Sequence, residues 1–180
     1  MPMSARSWGQ MRGGESNAML CTNRFAVMPA ALHIARLRSK VGNDLLLLPS
    51  VAVLPIDDDG RVLLVRQTDF GSYGTIGGAV DEDEAPEDAA RREAREEIGA
   101  DVEITGLVGA LGGPEFRLTY PNGDQCAYVS IVYSARLAPG AETSPDGDEV
   151  DQMRWFARSE LTDSAVGHFA QSTFAALRWI

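Results

Sequence analysis

Three glutamates, Glu93, Glu96 and Glu97, stand at positions i, i+3 and i+4 near the end of the segment 77–100, GGAVDEDEAPEDAARREAREEIGA. Pro86 and Gly99 bracket a helix over 86–98, because proline suits the first turn and glycine the left-handed residue that ends the last. At about 100° per residue the three carboxylates fall within an arc of roughly 100° on one face. Two carboxylates roughly 6 Å apart at an effective dielectric of about 20 repel by about 3 kcal/mol. The helix macrodipole also disfavours negative charge near the C-terminus. A hard cation held between the carboxylates resolves this conflict, since Mg²⁺ takes oxygen ligands. The plainer reading is a solvated helix laced by the i,i+4 pairs Glu87–Arg91 and Asp88–Arg92. Charge periodicity alone does not separate the two. Ala90, Ala94 and Ile98, four residues apart, form a small apolar stripe that serves packing and needs no ligand role.

The flanking sequence is β-patterned. Segments 48–56 and 62–67 are joined by the acidic turn Asp57-Asp58-Asp59-Gly60, and 75–80 is a short strand containing Gly77-Gly78. Residues 102–111 resume the pattern. Segments 116–120 and 125–137 enclose Pro121-Asn122-Gly123-Asp124, where Asn-Gly signals a tight hairpin. A loop over 138–148, a strand over 153–157 and a closing helix over 164–180 complete the chain. Upstream, 30–41 offers Ile34, Leu37 and Val41 on one helical face with Gly42 as a stop. Strands before, around and after one central helix make a mixed α/β sandwich. Residues 1–28 show no sustained period and are expected to be disordered, 29–45 to be a helix and connector, and 46–180 to be the functional domain.

With 180 residues, 44% of them hydrophobic, the chain can build one ordinary domain. No run of eighteen apolar residues occurs, so no membrane span is expected, and no apolar core follows Arg6 and Arg12 to make a secretory signal. Cys21 and Cys126 have no ligand spacing and build no disulfide framework, so a reducing cytoplasm is expected. A net charge of −10 repels nucleic-acid phosphates, which argues against duplex or RNA binding through a basic face. A small phosphorylated substrate remains compatible, provided that divalent cations mediate the contact.

The order of residues decides between the two readings of the helix. Gly78, Glu84, Arg92, Glu93, Glu96, Glu97, Ile98, Gly99 and Ala100, at their spacing, resemble the Nudix box of the Nudix hydrolase family. A looser resemblance runs over about 46–161. It implies a Nudix-type α/β/α sandwich with a mixed β-sheet. It also implies a metal-dependent hydrolase in which the Gly78 carbonyl, Glu93, Glu96 and Glu97 surround Mg²⁺, with Mn²⁺ as the alternative. Such ions would neutralise a diphosphate, polarise its phosphorus and lower the pKa of an attacking water. The substrate class is a nucleoside diphosphate linked to another group: a nucleoside triphosphate, an ADP-ribose-like compound or a dinucleoside polyphosphate. Glu93, crowded by carboxylates, is the first candidate for the base and Glu149 the second. Arg92 and Glu84 resemble the brace that orients Glu93. Two departures stand out: Thr75-Ile76 precede the glycines where many members have Leu-Pro, and Ala85 replaces a capping Ser.

Outside the box, Arg66 near the end of a strand is a candidate for holding a substrate phosphate. Phe70, Tyr73 and Tyr120 are candidates for stacking on a base. Family habit allows a homodimer. Two other classes compete: a catalytically silent Nudix-like nucleotide-binding module and an isoprenoid diphosphate isomerase. The first usually loses box carboxylates, all of which are kept here. The second wants a reactive cysteine, for which Cys126 in an apolar strand is poorly suited.

Overall fold

The computed structural model describes residues 32–180. The expectation for 1–28, and Cys21 with it, lies outside the described residues. Helix α1 (Leu32–Val41) leads into strand β1 (Leu46–Pro55). β1 runs parallel to the long strand β6 (Gln125–Leu137), from Leu46 opposite Cys126 to Pro55 opposite Ala135. On its other edge β6 pairs antiparallel with β4 (Val102–Leu111), with two register shifts, and its first residues pair with β5 (Arg117–Thr119). A second, antiparallel sheet has the order β3 (Ser72–Gly74), β2 (Val62–Gln67), β7 (Val150–Phe156).

Helix α2 (Pro86–Ile98) covers one face of this assembly and α3 (His168–Ala176) the other. The alternation along β1 makes the sandwich. Val51 and Val53 pack with Ala89, Ala90, Ala94 and Ile98 of α2. Ala52 and Leu54 pack with Ala170 and Phe174 of α3. A strand covered on both faces reads as a continuous apolar run rather than an alternating one. The α/β/α sandwich with a mixed sheet is therefore the observed fold.

The acidic turn forms as read, with Gly60 N–H donating to the Asp57 carbonyl; the strands it joins lie in different sheets and meet only at an Ile56–Val62 bridge. The reason is that one edge of β1 is taken by β6 and the other by residues 76 and 79, leaving no free edge for β2. Two expectations need correction, the first being segment 75–80, which is not a strand. It touches β1 only at isolated bridges, Val53–Ile76 and Ser50–Ala79, because Gly77 at φ 143° turns the chain between them. The closing helix is shorter than 164–180, starting at His168 after a turn that pairs Val166 with Tyr73. The Asn-Gly hairpin forms as read, between β5 and β6.

Candidate active site

Helix α2 carries the box residues, and its local chemistry explains its limits. Ala85 at the N-cap makes no side-chain bond, so the first turn relies on Pro86 and on Glu87 and Asp88 complementing the dipole. Gly99, at φ 64°, closes the helix by donating its N–H to the Arg95 carbonyl. The apolar stripe of Ala90, Ala94 and Ile98 is fully buried. Small residues there draw the helix close to β1, which carries Glu93 and Glu97 inward as well.

Glu97 is 1% exposed and Glu93 5% exposed. Glu96 points outward, its side chain more than half exposed. Glu97 accepts from the Gly77 N–H at 3.3 Å. Burial pushes Glu97 well above the usual carboxylate range, and the neighbouring Glu93 pushes it further. Burial also raises Glu93, against the opposing pull of Arg92.

Arg92 is the centre of a polar network. Its Nε and Nη2 donate to the two oxygens of Glu84 at 2.9 and 3.0 Å, and Nη2 also reaches the Ala79 carbonyl at 3.0 Å. Nη1 bridges Glu93 at 2.7 Å and Glu96 at 3.0 Å. The bidentate bond holds Glu84 below its ordinary pKa. Glu84 and Arg92 thus stand together, with Arg92 also bonded to Glu93.

Glycine is required twice in the loop before α2. A Cβ on Gly77 would lie 2.1 Å from the Val51 carbonyl oxygen, and one on Gly78 2.5 Å from Glu93 Oε1. The first is a backbone clash that cannot be relieved. The second displaces a carboxylate of the acidic cluster. Gly78→Ala is therefore expected to leave the fold intact but weaken divalent-cation binding about 10–100-fold, measured by titrating Mn²⁺ with calorimetry.

Whether this set suits a divalent cation follows from its chemistry. All its donors are oxygens, two of the carboxylates are buried, and the cation beside them, Arg92, already spends its fork on Glu84. A hard cation fits such a set. Among the described residues, no three His, Cys, Asp or Glu side chains already stand gathered as a metal shell. Arg92 holds Glu93 and Glu96, Glu97 rests on Gly77, and the Gly78 carbonyl accepts from Val51 N–H at 2.9 Å with a lone pair to spare.

The carboxylates open onto a cavity of about 530 Å³. Glu149, in the loop before β7, also lines it, with its pKa pushed up to about 7 by burial, then by Asp146, Glu93, Glu96 and Asp69. Phe70 and Tyr120 line the cavity, their rings 5.6 Å apart. Arg66 does not. It makes a two-pronged pair with Asp151 on the neighbouring strand, which corrects its expected place beside a substrate phosphate. Tyr73 is also turned away, packed edge-on against Phe156 with its hydroxyl donating to Gln152.

Sequence reading missed Arg38, Ser50, Tyr128, Ser130 and Phe169, which line the same cavity. For the serines there was a signal: each interrupts an apolar run, 45–56 for Ser50 and 126–133 for Ser130. For Arg38 there was none, because α1 reaches the hairpin only in three dimensions, where Arg38 donates to the Gln125 carbonyl.

The model of the NUDIX domain matches residues 46–177. The chain belongs to the Nudix family. A MutT-like protein of Streptomyces ambofaciens is 29% identical over 128 residues, 71% of this chain and 75% of that protein. The NAD-capped RNA hydrolase NudC of Stutzerimonas stutzeri is 32% identical over 110 residues, 60% of this chain but 36% of its own length. Among solved structures, the MutT Nudix hydrolase of Burkholderia pseudomallei aligns with a TM-score of 0.59 at 26% identity, covering 75% of this chain and 98% of that one. The expectation of a Nudix-family pyrophosphohydrolase stands on this membership. No helix among the described residues is long and apolar enough to cross a membrane.

Proposed function

We propose that this Nudix protein is a Mg²⁺-dependent hydrolase that cleaves the diphosphate linkage of a nucleoside diphosphate joined to another moiety. The observation that carries this reading is the pair of buried carboxylates, Glu93 and Glu97, beside Glu96 and Gly78 at the mouth of a ligand-sized cavity. The names of the relatives, among them an NAD-capped RNA hydrolase and an NAD(P)H pyrophosphatase, describe substrates with such a linkage. The ligands would be the Gly78 carbonyl, Glu93, Glu96 and Glu97, with Mn²⁺ able to replace Mg²⁺. When bound, the ion would neutralise the diphosphate and polarise its phosphorus. Arg92, fixed by Glu84, holds Glu93 in orientation. A small nucleotide is the partner, and the free, buried Cys126 suits a reducing cytoplasm.

Glu149 is the better-placed base. Glu93 is engaged by Arg92, whereas the Glu149 carboxylate has no hydrogen-bond partner among the described residues and faces the cavity with a pKa near neutrality. A base must be deprotonated, so kcat/KM should rise with pH through a midpoint at or below about 7, the bound cation pulling it downward. Glu149→Gln should lower kcat about 10²–10⁴-fold and abolish that limb of the pH–rate profile. A variant that keeps the limb would assign the base to Glu93.

The hydrolase reading is tested by incubating the protein with ADP-ribose, nucleoside triphosphates and diadenosine polyphosphates in Mg²⁺ or EDTA, followed by product chromatography. Metal-dependent release of two phosphorylated products is expected. Tight nucleotide binding without turnover of any substrate would overturn it.

A further inference from the structure

Ser50 of β1 and Ser130 of β6 face one another as register partners in the parallel ladder. They are 5% and 1% exposed, both line the cavity, and neither hydroxyl has a hydrogen-bond partner among the described residues. Their position along the strands is informative. One step earlier on the same face, Leu48 and Tyr128 are paired and line the cavity. One step later, Ala52 and Val132 are paired and belong to the core around Phe174. The serines occupy the boundary, where apolar residues would simply extend the core.

Buried hydroxyls without partners are unfavourable, and native structures rarely keep two side by side unless something else bonds them. Adjacent strands lie about 4.8 Å apart. One polar atom between the strands, or two neighbouring atoms on one ring edge, can therefore reach both hydroxyls at roughly 2.8 Å. Nearby, Tyr120 and Tyr128 share a hydroxyl–hydroxyl bond of 2.8 Å in the cavity wall. Tyr128 and Phe169, 5.9 Å apart, add flat apolar wall.

Charge narrows the ligand further. Of the described residues lining the cavity, Arg38 and Arg92 are the cations. Arg38 is consumed by the carbonyls of Gly42, Asp44 and Gln125, and Arg92 by Glu84, Glu93 and Glu96. An anion reaching the serines would find no free positive charge, whereas a hydroxyl pair suits a neutral edge carrying donors and acceptors.

We propose that Ser50 and Ser130 form a specificity-determining pair that hydrogen-bonds the edge of an uncharged heteroaromatic ring, a nucleobase, on the substrate. The assignment rests on the hydrolase reading for the rest of the substrate, but not for the binding of the ring itself.

The test is calorimetric titration of the full chain with adenosine, guanosine, cytidine and uridine in EDTA, for the wild type and the double variant Ser50→Ala/Ser130→Ala. At least one nucleoside should bind the wild type, and its Kd should rise about 10-fold or more in the variant. The variant's Tm should be unchanged or higher, since it loses only unpartnered hydroxyls. In Mg²⁺, KM for the diphosphate of that nucleoside should rise by a similar factor with little change in kcat. Equal nucleoside affinity in both proteins, or no binding to the wild type, would overturn the proposal. So would an equal KM rise for ribose 5-diphosphate, which has no ring, or a fall in Tm, which would mark the serines as parts of the fold. Serine-dependent nucleoside binding without any turnover would instead sink the hydrolase reading and leave this site standing.

Discussion

Glu97→Gln should lower kcat by about three orders of magnitude while making the metal-free protein more stable. The two effects share one cause. Glu97 is 1% exposed beside Glu93, and its carboxyl is held well above the usual range by burial and by that neighbour. Gln has the same shape and can still accept from the Gly77 N–H, but carries no charge. It removes both the repulsion and a buried ligand, and a loss of about 10²–10³ in rate is typical for one preorganised electrostatic contact to a transition state. Loss of the ion as well takes the effect to the upper end.

The stability side has a definite sign. Glu93, Glu97 and Glu149 all have folded pKa values above their ordinary ones. Between the usual carboxylate range and about 7, where Glu149 titrates, the folded chain binds more protons than the unfolded chain. Stability is therefore present below that window and is lost as pH rises through it. In EDTA the wild-type Tm should fall between pH 5 and pH 8, and Mg²⁺ should restore it at pH 8 with little effect at pH 5. Glu97→Gln should flatten the EDTA profile and gain about 2–4 °C at pH 8, the shift that roughly 1 kcal/mol produces in a domain of this size. Thermal melts at both pH values, with and without Mg²⁺, check this. A variant less stable than wild type in EDTA at pH 8 would refute the account of the site as strained by its own charge.

Arg92→Lys should be nearly as damaging, although the charge is kept. Arg92 bonds both oxygens of Glu84, one each of Glu93 and Glu96, and the Ala79 carbonyl. The two-pronged bond to Glu84 needs the planar fork, and an ammonium on a flexible stem cannot reproduce it while still reaching the other three partners. The Mg²⁺ concentration for half-maximal activity should rise about 10–100-fold, as when the residue that orients a metal ligand is lost. Stability should fall by about 1–3 kcal/mol, since the buried Glu93 and the partly buried Glu84 would keep their charge with poorer compensation. Activity titrated with Mg²⁺, and urea midpoints, measure the two losses separately. An unchanged Mg²⁺ midpoint would show that Arg92 braces the fold and not the ligands. Glu84→Gln keeps the hydrogen-bonding shape and should cost less on both counts.

Helix α2 was legible because its instructions are local. Pro86, Gly99 and the i, i+3, i+4 glutamates act within one or two turns, and the small apolar stripe announces a closely packed face. The Asn122-Gly123 hairpin was legible for the same reason, as its turn needs only its own residues. The Nudix fold followed from motif order more than from any physical count. Segment 75–80 was misread because strand-like composition does not reveal that the chain turns at Gly77, φ 143°, where a Cβ would strike the Val51 carbonyl. Arg66 was misread because Asp151, its partner, lies on a strand that only sheet pairing brings alongside.

Local chemistry thus specifies which residues crowd their charges onto one helix face and where that helix begins and ends, because those interactions span a few residues. Folding specifies what surrounds that face: the burial that raises Glu97, the approach of Glu149 from a distant loop, and the meeting of Ser50 with Ser130. The first depends on α2 packing against β1; the other two depend on strands 80 or more residues apart becoming neighbours at about 4.8 Å, a distance that hydrogen-bonded pairing imposes and that no local pattern encodes.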